Sequence, residues 1–433
     1  MADNNDKTPR VRTGVAIGAG LMGVVTASIG IVAPPAFGDD YPSWNDVQQA
    51  KANQAQQQAM VDNITKLISG LQSSVDAARI ESEKAAEAYL QAQVALDKAT
   101  QKAAGLDKQA KDAADKAKTS QMRAGLLASH LAKSGGGDVT TNLMLKGGGS
   151  GTQADKLLYQ LGTMTKLTDQ SKRVYDQATS DKNTAEALTA QAKVAKTERE
   201  DLATKASAAL AAAQDAQTKV QAALATQQSK STELVAQLAT LKSTTVQVEA
   251  AYVQGEQARA AAAAAAAAAA KAQADAEAAA AAQQNSSGSN SGGASNSGGG
   301  GGAPVAPPNG NVVETAISFA YAQLGKPYVL GGAGPSTWDC SGLTMKAYAY
   351  AGVYIGDHSV NDQWYTLAAR GRIVSSSQRQ RGDLIFWGSG PGSFYHVGIY
   401  LGNGRMIAAP TEGEVVKVQS VWGSPWYQVA RPG

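Results

Sequence analysis

The sequence predicts a long all-α coiled coil followed by an α+β domain, in which a helix bearing the single cysteine packs on an antiparallel sheet. Three observations lead there. Small and apolar residues step by three and four along two long segments, the seam of paired helices. A tract of Ser, Gly and Asn followed by prolines then interrupts the chain. Beyond it glycine, proline and aromatic residues crowd together, and apolar alternation around His396 reads as paired strands.

At the start, Lys7, Arg10 and Arg12 precede an apolar run from Gly14 to Ala33, and Pro34-Pro35 lead to Ala36-Phe37-Gly38. This pattern is that of a secretory signal over 1–38, cleaved after Gly38, with an uncleaved anchor as the alternative. Either places the remainder outside the cytoplasm, in the cell wall or at the outer face of the envelope. No later segment is apolar enough to span a bilayer, because Lys271, Asp275 and Glu277 interrupt the alanine run. The formal net charge is +3, with basic residues scattered among acidic ones, which gives nucleic-acid binding no support.

Residues 39–255 form the expected antiparallel coiled-coil region. A first seam runs through Ile64, Ile68, Leu71 and Val75, passes the polar Ser82, and continues through Ala85, Tyr89, Ala92 and Leu96 to Ala117. A second runs from Ala185 through Leu202 and Val220 to Ala223 and resumes at Leu234, Leu238 and Leu241. Alanine lets helices approach closely but buries little area per residue. A glycine-rich break near 135–151 lets the two helices fold back on each other. Arg199 falls at a seam position, as a register-setting or exposed site. The coil reads equally as a spacer stalk and as a dock or a cover for the last domain. Residues 256–310 are an alanine-rich helix and then a Gly/Ser/Pro linker.

Residues 311–433 carry the chemistry. Apolar spacing predicts a helix over 312–324, and Leu343, Ala347 and Tyr350 predict another beginning at Cys340. Cys340 is the only cysteine, so no disulfide within the chain explains it. A thiol at a helix N-terminus is favoured as thiolate, the form that attacks a carbonyl carbon. Such a nucleophile needs a base. Of the three histidines, His130 lies at the end of the first coil helix, and His396 opens a strand, 396–401, that turns at Gly402-Asn403-Gly404 and returns. Further strands are expected at 384–387 and 415–418. One cysteine and scattered histidines give no metal-ligand set, and no cofactor is expected.

Tyr328 with Gly331-Gly332, then Asp339-Cys340-Ser341-Gly342, Arg381-Gly382-Asp383-Leu384 and His396-Val397-Gly398-Ile399-Tyr400, together resemble the NlpC-type family of papain-like cysteine peptidases that act on peptidoglycan. The signal segment and paired coils resemble the subgroup of secreted cell-division hydrolases. The resemblance implies a papain-like α+β fold and cleavage of a stem-peptide bond between D-glutamate and the diamino acid. It implies that Cys340 is the nucleophile and His396 the base, that Tyr328 binds substrate or stabilises the oxyanion, and that Asp339 and Ser341 line the peptide cleft. Ser359 and Gln363 match a Ser-x-x-x-Gln pattern that faces substrate in the family, and a membrane division protein of FtsX type is the partner similar proteins use.

One position departs. The family places a polar residue twelve positions after the catalytic histidine to orient its ring, and here that position is Ala408. Thr411 or Glu412, a carbonyl or a water are the alternatives for that task. A weak or inactive wall-binding module, or a hydrolase activator, is therefore the rival reading. His358 is either a contact for a substrate carboxylate or a surface-loop residue. Trp338, Trp364 and Trp387 are either a stacking wall or core.

Overall fold

The coiled coil begins with a short helix, α1 (Trp44–Lys51), started by a capping box in which Ser43 and Asp46 satisfy each other's backbone amides. It leads into α2 (Gln54–Lys133), and α3 (Gly151–Lys242) returns antiparallel to it. At 80 residues, α2 is about 120 Å long. This computed structural model describes residues 41–133, 151–260, 262, 263, 266, 267 and 307–433. The expected signal segment, the glycine-rich break up to residue 150 and most of the linker lie outside the described residues.

Cross-links give the antiparallel register. Gln57 donates to the Leu241 carbonyl, Gln227 to Gln72 at 2.6 Å, and Lys102 pairs with Glu198 at 2.9 Å. The bulk sits at one end, where Val47, Ile64, Ile68 and Leu71 pack on Leu234, Leu238 and Leu241. Farther along, Ala99, Ala110, Ala117, Ala195, Ala206 and Ala213 are the buried seam. Arg199 is part-exposed, beside Glu200. Between these regions the first seam departs from expectation: Glu83, Ala86, Glu87 and Leu90 are buried, whereas Ala85 and Tyr89 are only half-buried. The inward turn of two glutamates has a reason outside the coil.

The C-terminal domain opens with α4 (Gly310–Tyr321), capped by Asn309. Next come α5 (Cys340–Tyr350) and α6 (Val360–Ala369), and then six strands: β1 (Ile373–Ser375), β2 (Leu384–Gly388), β3 (Phe394–Gly402), β4 (Arg405–Ala408), β5 (Lys417–Ser420) and β6 (Gln428–Ala430). The sheet is antiparallel in the order β1-β6-β2-β3-β4-β5. The expected last strand, 415–418, instead spans Lys417–Ser420, because Val415 and Val416 pair with the segment before α5.

Strand alternation sorts the side chains onto two faces. Leu384, Phe386, Val397, Ile399 and Ile407 meet the helices, while Ile385, Trp387, Tyr400 and Met406 form a second cluster on the opposite face. Both clusters draw only on residues 312–430, so the domain has its own core and the means to fold alone. Trp338, Trp364 and Trp387 are each buried within these clusters, so they are core and not a stacking wall.

Candidate active site

Asp339 makes the local structure that presents Cys340. Its carboxylate is the N-cap of α5, accepting from the Gly342 amide at 2.7 Å, and it also takes the Gly331 amide at 2.9 Å and the Ser341 hydroxyl at 3.1 Å. Cys340 is therefore the first residue of the helix, as expected. Asp339 and Ser341 themselves are fully buried and turned toward each other. They shape the helix start from within and present no surface to a cleft.

His396 stands on β3 directly opposite Trp387 on β2, and Trp387 stacks on Trp422 with centroids 4.8 Å apart. The two indoles flank the imidazole at 5.3 and 5.6 Å. The amide of the next residue, Val397, donates to the Cys340 sulfur, which joins the strand to the helix start. Neither ring nitrogen of His396 has a hydrogen-bond partner among the described residues. Thr411 and Glu412 thus do not reach it, and Ala408 supplies no polar group. Tyr328 is buried in the same neighbourhood; burial first, then the charges of Cys340 and Asp339, push its hydroxyl pKa well up, so it stays a neutral donor.

The rest of the expected set divides. Gln363 is fully buried and ties α6 to α5, donating to the Ser341 carbonyl and accepting from Thr344, both at 2.8 Å. It braces the nucleophile helix and does not face a cleft. Ser359 caps α6, and its hydroxyl donates at 2.6 Å to Glu87 of α2, 272 residues away. His358 is no free surface residue: its Nε2 lies 2.8 Å from both oxygens of Asp339.

Three functional residues escaped the sequence reading. Glu87 lies in a cradle made by the Ser359 hydroxyl, the amides of Val360 (2.9 Å) and Asn361 (3.1 Å), and the Asn361 side chain (3.0 Å). Glu83, one turn earlier, reaches 3.9 Å from His396 Nδ1 without a hydrogen bond to its buried oxygen. Asn361 makes the cradle and also fixes the start of β3 through Gly392 and Phe394. The i, i+4 spacing of Arg79, Glu83 and Glu87 puts all three on one helix face, where Arg79 pairs with Glu414. The only available signal was a pair of glutamates four residues apart, Glu83 and Glu87, just after the polar Ser82.

This arrangement changes the electrostatics expected from the helix start alone. Burial, followed by the charges of Asp339, Glu83 and Glu87, raises the Cys340 thiol well above its ordinary pKa. Burial lowers the pKa of His396 to about 3. With α2 in place the pair is a neutral thiol and a neutral imidazole.

A cysteine at a helix start, joined to a histidine on the adjoining strand of an antiparallel sheet, is the geometry the comparisons resolve. Residues 325–431 match the NlpC/P60 family. The C-terminal domain belongs to that family. The chain is 41% identical over 109 residues to the probable endopeptidase p60 of Listeria grayi, covering 25% of this chain and 20% of that protein. It is 41% identical over 122 residues to the peptidoglycan endopeptidase RipA of Mycolicibacterium smegmatis, covering 25% and 23%. Among solved structures, the NlpC/p60 domain of the peptidoglycan hydrolase SagA is 43% identical, with 27% of this chain and 97% of that one covered and a TM-score of 0.25. The chain spans about a fifth of the length of the curated relatives it matches. The coil lies outside residues 325–431, the region that matches the family.

Proposed function

We propose that the chain is a peptidoglycan endopeptidase that cuts a stem-peptide bond through an acyl-enzyme on Cys340, and that its own coil stores it closed. The reaction needs the Cys340 thiol to lose its proton to His396. The sulfur then attacks the scissile carbonyl, His396 returns the proton to the leaving amine, and water releases the acyl group. The Cys340 amide at the start of α5 and the Tyr328 hydroxyl are the donors nearest the developing oxyanion. The D-glutamyl to diamino-acid bond is the family's substrate and is adopted here on that resemblance, as are export to the cell wall and a role in wall remodelling or daughter-cell separation.

The observation that carries the reading is the Glu87 cradle. The Glu87 carboxylate takes four donors from Ser359, Val360 and Asn361, close enough to Cys340 for its charge to raise the thiol pKa. A stem peptide rich in free carboxylates requires such chemistry. The same contact supports closure, because α2 fills the approach to a nucleophile that is 6% exposed and a base that is fully buried. Opening then requires a force on the coil, for which a membrane protein of FtsX type is the proposed source.

The isolated domain, Asn311 to Gly433, is expected to digest purified peptidoglycan, and Cys340→Ala to abolish digestion. Unchanged muropeptides after treatment with the wild-type domain would sink the peptidase reading. Equal digestion rates for the full chain and the isolated domain would sink closure alone.

A further inference from the structure

The Asp339 carboxylate does two opposed things. As the cap of α5 it organises the amides at the helix start, which favours a thiolate on Cys340. As a fully buried negative charge on the adjoining residue, it opposes that same thiolate and is the largest such influence after burial. A cap with this conflict built into it needs a counter-charge that does not displace the cap bonds.

We propose that His358 supplies it: the imidazolium, clamped on the Asp339 carboxylate, is a positioning residue that offsets the charge beside Cys340 while leaving the helix cap intact. The inference rests on the reading of Cys340 as nucleophile. The geometry is specific. His358 Nε2 lies 2.8 Å from each Asp339 oxygen, so it faces the carboxylate symmetrically, while the Gly331 amide, the Gly342 amide and the Ser341 hydroxyl take the remaining lone pairs. Among these four groups only His358 can carry a positive charge. Space is reserved for it: a Cβ on Gly342 would stand 2.9 Å from His358 Nε2 and 2.2 Å from the Gly332 carbonyl.

The groups facing His358 come from three elements. Asp339 precedes α5, Glu87 projects from α2, and Lys346 lies on α5. Burial disfavours the charged ring, and Lys346 repels it, but the bond to Asp339 and the attraction of Asp339 and Glu87 outweigh both and raise its pKa. Glu87 leaves with the coil, whereas Asp339 stays. The device therefore persists in the open enzyme. It also accounts for a family-like cysteine site holding a second histidine that is not the base.

The test reads the thiol directly in the isolated domain, whose core is self-contained. The rate of Cys340 alkylation by iodoacetamide is measured against pH in wild type, His358→Gln, Asp339→Asn and the double variant. Gln keeps a donor without the charge, and Asn keeps the cap without the charge. His358→Gln should move the profile upward and lower the rate at pH 7 about tenfold, the equivalent of one pKa unit. In the Asp339→Asn background the same replacement should change nothing further. A His358→Gln profile that overlays wild type, or an equal shift in both backgrounds, overturns the proposal. Should His358→Gln fail to fold, the ring titration of His358 followed by NMR in wild type decides: a pKa below its ordinary 6.5 overturns the proposal, and one above it supports it. None of these readouts uses wall digestion, so failure of the peptidase reading is distinguishable.

Discussion

The carboxylate of Glu87, on the first long helix of the coil, accepts a hydrogen bond from the Ser359 hydroxyl at 2.6 Å, at the cap of α6. Two backbone amides and the Asn361 side chain complete the site. Hydrogen bonds to a charged group contribute about 1.5–3 kcal/mol each when buried. Opening returns the donors to water, so the net loss on removing Glu87 is of the order of one such bond.

Glu87→Ala in the full chain should therefore raise its wall-digestion rate about 10- to 100-fold, since ~1.4 kcal/mol is a factor of ten. The isolated domain lacks residue 87 and sets the ceiling. A Glu87→Ala full chain as slow as wild type would show that the cradle contact does not hold the coil down.

Closure should depend on pH through Glu83 and Glu87, both raised by burial, and through His396, which burial lowers. Glu83 is buried, and burial, against the attraction of Arg79 and with the repulsion of Glu414, raises its pKa well above the ordinary 4.5. A group raised on closure stabilises the closed form fully below its ordinary pKa and stops doing so as pH rises through the raised value. His396 is lowered from 6.5 to about 3, so its contribution is present above 6.5 and is lost as pH falls toward 3. Above 4.5 the slopes of the two glutamates oppose that of His396, and above 6.5 the slope of His396 is spent. The ratio of full-chain to isolated-domain rate, which cancels the pH dependence of the chemistry, should rise from pH 6.5 upward. In Glu83→Gln, which keeps the neutral shape, the ratio should rise less over that range, the remainder coming from Glu87.

What the sequence made legible is local. Both seams are buried or half-buried at every position read from them, because heptad spacing is a property of one helix, and the burial of Glu83 and Glu87 beside the first was not legible. Cys340 at a helix start followed from the spacing of Leu343, Ala347 and Tyr350, and the β3–β4 turn from Gly402-Asn403-Gly404. The three-residue strands β1 and β6 are too short to carry an alternation. The partnership of Glu87 with Ser359 leaves no trace in either segment. A glutamate flanking a seam reads the same whether it faces water or a cleft 272 residues away.

Away from the site, Arg431 and Asp383 form a buried bidentate pair at 2.9 Å for both bonds, tying the end of the chain to the turn before β2. Asp383 also accepts the Gln380 amide at 2.7 Å. Replacing Arg431 by Met leaves a fully buried carboxylate without its cation. Such a break destabilises by about 3–5 kcal/mol. For a domain of this size that lowers Tm by more than about 10 °C, measurable by thermal unfolding of the isolated domain. Asp383→Asn combined with Arg431→Met should recover part of the loss, since no uncompensated charge remains.

The position expected to orient the base is Ala408, which is 1% exposed on β4. It lies on the same sheet face as His396, beside Gly398, where an added Cβ would stand 3.4 Å from its own. The ring is instead confined by Trp387, which is anchored by its Nε1 bond to the Trp422 carbonyl at 2.9 Å, and by Trp422 itself. Two aromatic walls fix the plane of an imidazole but not its tautomer, which requires a polar partner on the second nitrogen. In a serine triad the wrong tautomer costs about 10⁴ in kcat. Ala408→Glu should therefore raise the kcat of the isolated domain by about tenfold, a fraction of that span, because the new side chain also overpacks a filled site at about 1–3 kcal/mol of stability. KM should not move, since residue 408 is behind the ring and out of reach of substrate. A lower Tm with kcat unchanged would mean that the tryptophans already provide all the orientation His396 uses.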